Sequence, residues 1–247
     1  MRKPNVLVFS GYGLNCEEET AYGFELAGAH ADILHINDLI ERKNLLKNYQ
    51  IFAMPGGFAY GDDTGAGNAF AQKIKNHLGD RVAEFIRRDT LAIGICNGFQ
   101  ILSRLGIFGE VAVTHNDNRR YTDTWVKLKI ENETPWFKDL KTFDVPIAHG
   151  EGKFFAHAKT LKELSKEGRV AARYVGYNPN GSIDDIAGVT DGTGRILGMM
   201  PHPERAMFFT QLPDWPRLKE EYIRKGKSLP QYADGLRIFQ NAVRYFK

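Results

Sequence analysis

The chain has 247 residues, of which 43% are hydrophobic and 26% are charged, and its formal net charge is +3. This length favours one α/β domain over residues 1–247 rather than two small domains. The slight charge gives no sign of a nucleic-acid-binding surface. The first apolar run is too short for a signal peptide or a membrane span. Two cysteines give no disulfide framework, so we expect a cytoplasmic protein.

Short apolar runs alternate with helical patterns over the first hundred residues. The predicted strands are NVLVFS, ADILHI, IFAMP and LAIGI, and the helical patterns that follow them are CEEETAYGFELAGA, DLIERKNLLKN, residues 66–88 and the segment after Cys96. Because the strands are continuous apolar runs, both faces of their sheet are covered. The alternation therefore predicts an α/β fold with a mostly parallel, doubly wound sheet and helices on both faces.

The second half of the chain is richer in strand-like segments. These are EVAVTH, WVKLKI, VPIAH, RVAARYV, DIAGV and RILGMMP, and we expect them to extend and close the same sheet. A last helix over ADGLRIFQNAVRYF places Leu236, Phe239, Val243 and Phe246 on one face, which should pack against the domain. We expect the segment over residues 207–232, before this helix, to be a solvated excursion rather than a contact surface.

Ligands of such sheets bind outside the carboxyl ends of the strands. Four segments of the sequence lie at predicted strand ends: GYGLNC, PGGFAYGDD, the turn at Cys96 and PHPER. GYGLNC lacks the last glycine or alanine of a dinucleotide-binding motif, so we exclude nucleotide binding there, and we expect Cys16 to be structural.

The sequence GICNGFQ, residues 94–100, places Cys96 between an apolar strand and a helix. A residue at a sharp strand-to-helix turn is exposed at the sheet edge and needs small neighbours, which Gly94 and Gly98 supply. The start of the helix also offers backbone N–H groups to a developing anion. The alternative is a buried structural cysteine, because free cysteine is among the most buried residue types.

A nucleophilic thiol needs a base, and the base needs a group that orients it. In MMPHPER, His202 and Glu204 are two residues apart and so lie on one side of an extended segment. The prolines at 201 and 203 prevent a helix there. A surface turn after a strand is the alternative interpretation of this motif.

Two further loops favour ligand binding. The paired glycines of PGGF allow backbone N–H groups to face an oxyanion. The loop of IAHGEGKFF follows an apolar strand and precedes glycines, so we expect His149 to belong to a binding loop rather than to the core.

Taken together, PGGF, GICNGFQ and PHPE resemble the triad-type (class I) glutamine amidotransferases. HNDNRRY, PIAHGEGKFF, NPNGSIDDIAGVTD and GMMPHPER narrow the resemblance to the glutaminase subunits of phosphoribosylformylglycinamidine synthase, over nearly the whole chain. The resemblance implies a flavodoxin-like Rossmann sheet and L-glutamine as substrate. It also implies Cys96 as nucleophile, His202 as base, Glu204 as its orienting group, and an oxyanion hole made by the amides of Gly57 and Asn97.

The same resemblance assigns glutamine binding to Gln100 and to the loop that holds His149, Gly150 and Phe154. It implies no metal and no cofactor in this chain. ATP and Mg²⁺ are expected on a partner, the synthetase subunit that uses the ammonia, and a small bridging subunit can join the complex. No nucleic acid and no membrane is expected as a partner.

Three alternatives remain open at this stage. The chain could be the glutaminase of another synthetase, a cysteine hydrolase or deglycase of the same superfamily, or a non-catalytic subunit. A hydrolase of another kind is not expected to carry both PHPE and NPNGS, and a non-catalytic subunit would more often lack the cysteine, the histidine or the glutamate.

Overall fold

The computed structural model describes residues 3–62 and 65–247. Its strands are β1 Asn5–Ser10, β2 His30–His35, β3 Ile51–Met54, β4 Leu91–Ile95, β5 Val111–Thr114, β6 Thr122–Ile130, β7 Thr142–His149, β8 Lys153–Ala156, β9 Val170–Val175, β10 Ile186–Thr190 and β11 Ile196–Met199. The α-helices are α1 Glu17–Leu26, α2 Ile36–Glu41, α3 Asn68–Arg87, α4 Asn97–Arg104, α5 Ala158–Lys166, α6 Trp215–Arg224 and α7 Gly235–Arg244.

Nine of these strands form one mixed sheet in the order β2-β1-β3-β4-β11-β10-β9-β6-β7. The pairs from β2 to β11 are parallel, and the pairs from β11 to β7 are antiparallel. Strands β3, β4 and β11 are buried along their whole length, as continuous apolar runs between two helical layers should be. The α/β sheet predicted from the alternation is therefore confirmed.

The helices cover both faces of the sheet. The connection from β1 to β2 runs one way along the sheet and the connection from β3 to β4 runs the other way, so right-handed crossovers place α1 and α3 on opposite faces. α7 packs on α1, where the Phe24 and Phe239 rings meet edge to face with their centroids 4.9 Å apart. The predicted packing of the last helix is thus confirmed, with Leu236, Phe239 and Val243 fully buried.

Several local predictions need correction. The segment EVAVTH does not join the main sheet, because β5 pairs antiparallel with β8 in a separate two-stranded sheet. The segment after β2 forms only the short helix α2 and a 3₁₀ turn over Lys43–Asn48, and neither α5 nor α6 was predicted. α6 lies inside the segment over residues 207–232 and buries none of its residues, which agrees with a solvated excursion.

Among the helices of the described ranges, none is both long enough and apolar enough to cross a bilayer.

Candidate active site

Cys96 lies at the turn between β4 and α4, as the sequence predicted. Its backbone is left-handed, with φ at 51°, and α4 begins at the next residue. The flanking glycines are required by space: a Cβ on Gly98 would lie 2.0 Å from the Met54 carbonyl oxygen, and one on Gly94 would lie 2.6 Å from the Gly98 oxygen. The turn thus holds Cys96 where a side chain at either glycine would force α4 away from the sheet.

The Cys96 thiol is buried, with 5% of the residue exposed, and it points toward the Ala148 carbonyl oxygen at 3.8 Å. Ala148 belongs to the end of β7, and the His202 amide binds the Pro146 oxygen of the same strand at 2.9 Å. β7 therefore connects the cysteine turn with the histidine loop across the top of the sheet.

His202 and Glu204 follow β11, the strand beside β4. The imidazole Nδ1 lies 2.5 Å from the Glu204 Oε1, and both residues are almost completely buried. Burial alone lowers the pKa of His202, but the Glu204 carboxylate, with smaller effects of Cys96 and Cys16, holds that pKa well above its usual value. Since Nδ1 is taken by Glu204, Nε2 is the nitrogen left for a reacting group, and within the described residues it has no hydrogen-bond partner.

The sequence did not predict that Cys16 would lie beside this pair. Its sulfur, a ring nitrogen of His202 and a carboxylate oxygen of Glu204 all lie within 4.8 Å of one another. The Cys16 sulfur also accepts a hydrogen bond of 3.0 Å from the Arg205 guanidinium, and burial raises the pKa of its thiol. The positive charge of Arg205 disfavours a bound cation at this cluster. We therefore interpret Cys16 and Arg205 as groups that pack beside His202 and help to hold it in place.

The loop after β3 presents one candidate oxyanion donor. The Gly56 carbonyl oxygen accepts hydrogen bonds from the amides of Asn15 at 3.1 Å and Cys16 at 3.2 Å. Because this peptide is trans, the Gly57 N–H points away from that loop. β3 lies between β1 and β4, and Cys96 follows β4.

Gly57 must be glycine, since its φ is 152° and a Cβ there would lie 2.4 Å from the Gly13 oxygen. The second predicted donor is Asn97, the first residue of α4, whose N–H is among the amides that a helix start leaves without an intrahelical partner. Asp63, the last residue of the predicted PGGFAYGDD loop, and Thr64 after it lie outside the described residues.

His149 is held in a single tautomer. The Asn116 side-chain amide donates to the His149 and Arg120 carbonyl oxygens, both at 2.9 Å, so its Oδ1 is an acceptor. That Oδ1 lies 3.2 Å from the His149 Nδ1, which must then carry the proton. The other nitrogen, Nε2, is a bare acceptor that is buried and has no partner in the part of the chain that the structure describes.

The other predicted glutamine-binding residues differ in what they can contact. Space is open beside Gly150, where an added Cβ would meet nothing within 4 Å. The Phe154 ring is buried and stacks with Phe99 at a centroid distance of 6.3 Å, so it packs in the core. Gln100 is only 4% exposed, and both polar atoms of its side chain are bound to protein groups.

Comparisons with known proteins agree with this geometry. Residues 3–246 match the family model of the CobB/CobQ-like glutamine amidotransferase domain. The chain is 47% identical to the phosphoribosylformylglycinamidine synthase subunit PurQ of Methanococcus maripaludis, over 98% of this chain and 97% of the relative. It is 36% identical to the PurQ subunit of Dehalococcoides mccartyi, over 99% of this chain and 98% of the relative.

Solved structures give the same result. A chain of the PurLQS structure from Thermotoga maritima superimposes with a TM-score of 0.77 at 31% identity, with both chains fully covered. A glutamine amidotransferase from Thermotoga maritima has a TM-score of 0.54 at 18% identity, over 99% of this chain and 92% of the other, which shows the shared fold.

Proposed function

The chain belongs to the CobB/CobQ-like glutamine amidotransferase family, and within it to the PurQ subunits, and we propose that it is the glutaminase subunit of phosphoribosylformylglycinamidine synthase. In this role it hydrolyses L-glutamine to glutamate and ammonia. The ammonia passes to an ATP-dependent synthetase subunit, which converts formylglycinamide ribonucleotide into formylglycinamidine ribonucleotide for purine synthesis.

One observation carries the proposal. A buried histidine–carboxylate pair after β11 and a strained cysteine turn after β4 lie at neighbouring strand ends of the sheet. A cysteine, a histidine with one free nitrogen and a carboxylate on the other nitrogen are the three groups that acyl transfer from an amide requires. We therefore assign Cys96, His202 and Glu204 as the catalytic triad.

The first half of the reaction forms a thioester. The Cys96 sulfur attacks the side-chain amide carbon of glutamine, and His202 Nε2 takes the thiol proton. The carbonyl oxygen becomes an oxyanion that accepts hydrogen bonds from the amides of Gly57 and Asn97. His202 then gives its proton to the leaving nitrogen, the C–N bond breaks, and ammonia departs from a glutamyl thioester.

The second half returns the enzyme to its starting state. His202 takes a proton from a water molecule, the resulting hydroxide attacks the thioester carbon, and the same two amides stabilise the second oxyanion. The C–S bond breaks, the sulfur recovers a proton from His202, and glutamate leaves. Glu204 stays ionised throughout and stabilises the imidazolium on each occasion.

Glutamine is held by the loop after β7. The bare Nε2 of His149 accepts a hydrogen bond from an N–H group of the substrate, and the open space beside Gly150 leaves room for it. Burial, together with the nearby charge of His202, lowers the pKa of His149 to about 4, so its imidazole is neutral at physiological pH and remains an acceptor.

The ATP step belongs to the partner. The sequence contains no recognisable ATP-binding motif, so ATP and Mg²⁺ would be held by the synthetase subunit, and a small bridging subunit can take part in the complex. We place the reaction in the cytoplasm, where the free thiol of Cys96 stays reduced.

The test is to follow glutamate release and product formation in the assembled complex. Cys96→Ala should abolish glutamine-dependent synthesis but leave synthesis from added ammonia intact. A diazo ketone that mimics glutamine should label Cys96 and leave Cys16, the other cysteine, unmodified. A label on Cys16, or a Cys96→Ala chain that still uses glutamine, would contradict the assignment.

A further inference from the structure

A chain of hydrogen bonds runs through the interior from the oxyanion loop, which we define as the described residues 55–62 and 65–67, to the glutamine loop (residues 149–152). The Ala59 amide donates to the Asn97 Oδ1 at 3.1 Å, and the Asn97 Nδ2 donates to the Gln100 Oε1 at 2.7 Å. The Gln100 Nε2 then donates to the Glu151 carbonyl oxygen at 2.5 Å. Asn97 is fully buried and Gln100 is nearly so, so water does not compete for these bonds.

The order of donors and acceptors along this chain is fixed. Its two ends are a backbone N–H and a backbone C=O, which cannot exchange roles. Each side-chain amide between them must therefore present its oxygen toward Ala59 and its nitrogen toward Glu151. Removal of either amide would leave buried polar groups without partners, which is costly in the interior.

A second bond connects the same two loops. The Ala66 amide donates to the Glu151 carboxylate at 3.4 Å. The oxyanion loop is thus bound at Ala59 through the two amides and at Ala66 directly. Gly57, the proposed oxyanion donor, lies two residues before Ala59, and Asn97 supplies the second donor from its own backbone.

We propose that Gln100 is a positioning residue that acts through Asn97 on the oxyanion loop. The inference rests on the proposed function and adds to the role that the sequence predicted, since the Gln100 side chain accepts a hydrogen bond from Asn97 and donates one to the Glu151 carbonyl oxygen. It follows that glutamine, bound at the loop over residues 149–152, and the oxyanion hole share one set of hydrogen bonds.

The affinities for two ligands, glutamine and a mimic of the tetrahedral state, distinguish a positioning role of Gln100 from direct contact with the substrate. Glutamine binding to the ground state is measured by calorimetry in a Cys96→Ala background. Binding to the tetrahedral state is measured, with Cys96 present, by inhibition with glutamate γ-semialdehyde, whose aldehyde carbon bonds to the sulfur while the thiol proton ends on oxygen. We expect Gln100→Leu to weaken semialdehyde binding and to lower kcat by roughly 10–100-fold, while the Kd of glutamine changes less than about twofold.

Equal weakening of both affinities would overturn the inference, because it would mean that Gln100 contacts the substrate directly. Gln72→Leu is the matched control, since it makes the same change at an exposed position of α3. Gln100→Glu keeps the volume and the acceptor for Asn97 but loses the donor to Glu151, so it tests the second link if the leucine variant does not fold. Amide hydrogen exchange of residues 57–60 should accelerate in both Gln100 variants and not in Gln72→Leu.

The wild-type complex distinguishes failure of this inference from failure of the proposed function. If it releases no glutamate from glutamine, the proposed function fails. If it does so, and Gln100→Leu and Gln100→Glu both retain wild-type kcat and semialdehyde affinity, the function stands and the positioning role is wrong.

Discussion

Cys96 has a backbone conformation that few residues with a side chain adopt. A left-handed residue other than glycine costs roughly 1–2 kcal/mol, so the surrounding structure must impose it. Here the buried strand β4 and the helix α4 fix both ends of the turn. The turn keeps the sulfur at the carboxyl end of β4, beside the start of α4 at Asn97.

The buried pair of His202 and Glu204 leads to a prediction about rate. His202→Asn should lower glutaminase kcat by about 10⁴-fold or more, because it removes the group that carries the proton. Glu204→Gln should cost roughly 10–100-fold, since its amide oxygen can still accept from Nδ1 but lacks the charge that strengthens the bond. Steady-state glutamate release checks both. Near-normal activity in His202→Asn would require another base, of which His149 is the first to examine.

His149 leads to a prediction about stability and pH. The pKa of His149 is lowered to about 4 in the folded chain, whereas the unfolded value is about 6.5. The unfolded state therefore binds a proton between these values while the folded state does not, so stability falls with decreasing pH in that window. From pH 7.5 to pH 5 this group should remove about 2 kcal/mol from the free energy of unfolding.

Between pH 7.5 and pH 5, the free energy of unfolding of His149→Asn should fall by about 2 kcal/mol less than that of the wild type. Urea unfolding at both pH values measures this difference. Asparagine keeps a donor for Asn116, so the loop retains that bond. His77→Asn, which removes an exposed histidine of α3, is the matched control. An equal loss of stability in wild type and His149→Asn would contradict the prediction.

At the scale of residues, the sequence predicted contacts between residues close in the chain better than contacts between distant residues that folding brings together. His202 and Glu204 lie two residues apart, so an extended segment is enough to pair them. Cys16 and Arg205 are 189 residues apart, and only the order of β1, β3, β4 and β11 brings them together. Gln100 was identified from its motif. The motif does not show whether its side-chain amide binds the substrate or another loop of the protein.

At the scale of elements, the close approach of α4 to β3 gives a test of packing. Gly98→Ala would place a Cβ 2.0 Å from the Met54 carbonyl oxygen, and a strand backbone cannot move away as a flexible side chain can. We expect a loss of at least about 3 kcal/mol in the free energy of unfolding. Urea denaturation measures it, together with the loss of glutaminase activity as the Cys96 turn shifts.

Gly79→Ala is the matched control for this substitution. Gly79 lies within α3, and the nearest atom to an added Cβ, the Ile74 oxygen, is 4.0 Å away. Alanine should therefore stabilise the chain by about 0.5–1 kcal/mol through helix propensity. A Gly98→Ala chain with wild-type stability would show that β3 and α4 are not in such close contact.

The parallel half of the sheet was predictable because each strand is a continuous apolar run followed by a helix. The pairing of β5 with β8 was not, since each of these strands has only four residues and so carries a weak sequence pattern. Strand partners far apart in the chain are chosen by the assembled core rather than by local sequence. The sequence nevertheless predicted that Cys96 and His202 follow strands of the parallel half, and the structure places these strands, β4 and β11, side by side.

At the scale of the whole molecule, the loop after β1 and the loop after β3, which contains Gly57, are bound to each other. The Phe58 amide binds the Gly13 oxygen at 2.8 Å, the Tyr60 amide binds the Tyr12 oxygen at 2.6 Å, and the two tyrosine rings stack. Tyr12 and Tyr60 are both left-handed, with φ of 54° and 56°, at a cost of roughly 1–2 kcal/mol each. Tyr12 and Phe58 are also exposed, at 38% and 41%, so a docked partner can reach this region.

The last prediction is that the synthetase partner raises glutaminase kcat by about 10²–10³, which corresponds to the roughly 3–4 kcal/mol contributed by one oxyanion donor. The left-handed backbones of Tyr12 and Tyr60 cost energy. We therefore expect the isolated chain to populate other conformations as well, in which the Gly57 amide does not face Cys96, and the glycines of the oxyanion loop allow the change at small cost. We expect docking to select the competent conformation by binding it more tightly than the others, which would also limit the waste of glutamine by free hydrolysis. Glutamate release by the purified chain is compared with release after the partner and its ligands are added, with Cys96→Ala as the blank. A lone chain that already turns over at the rate of the complex would refute this control of the loop, although it would leave the assignment of the triad intact.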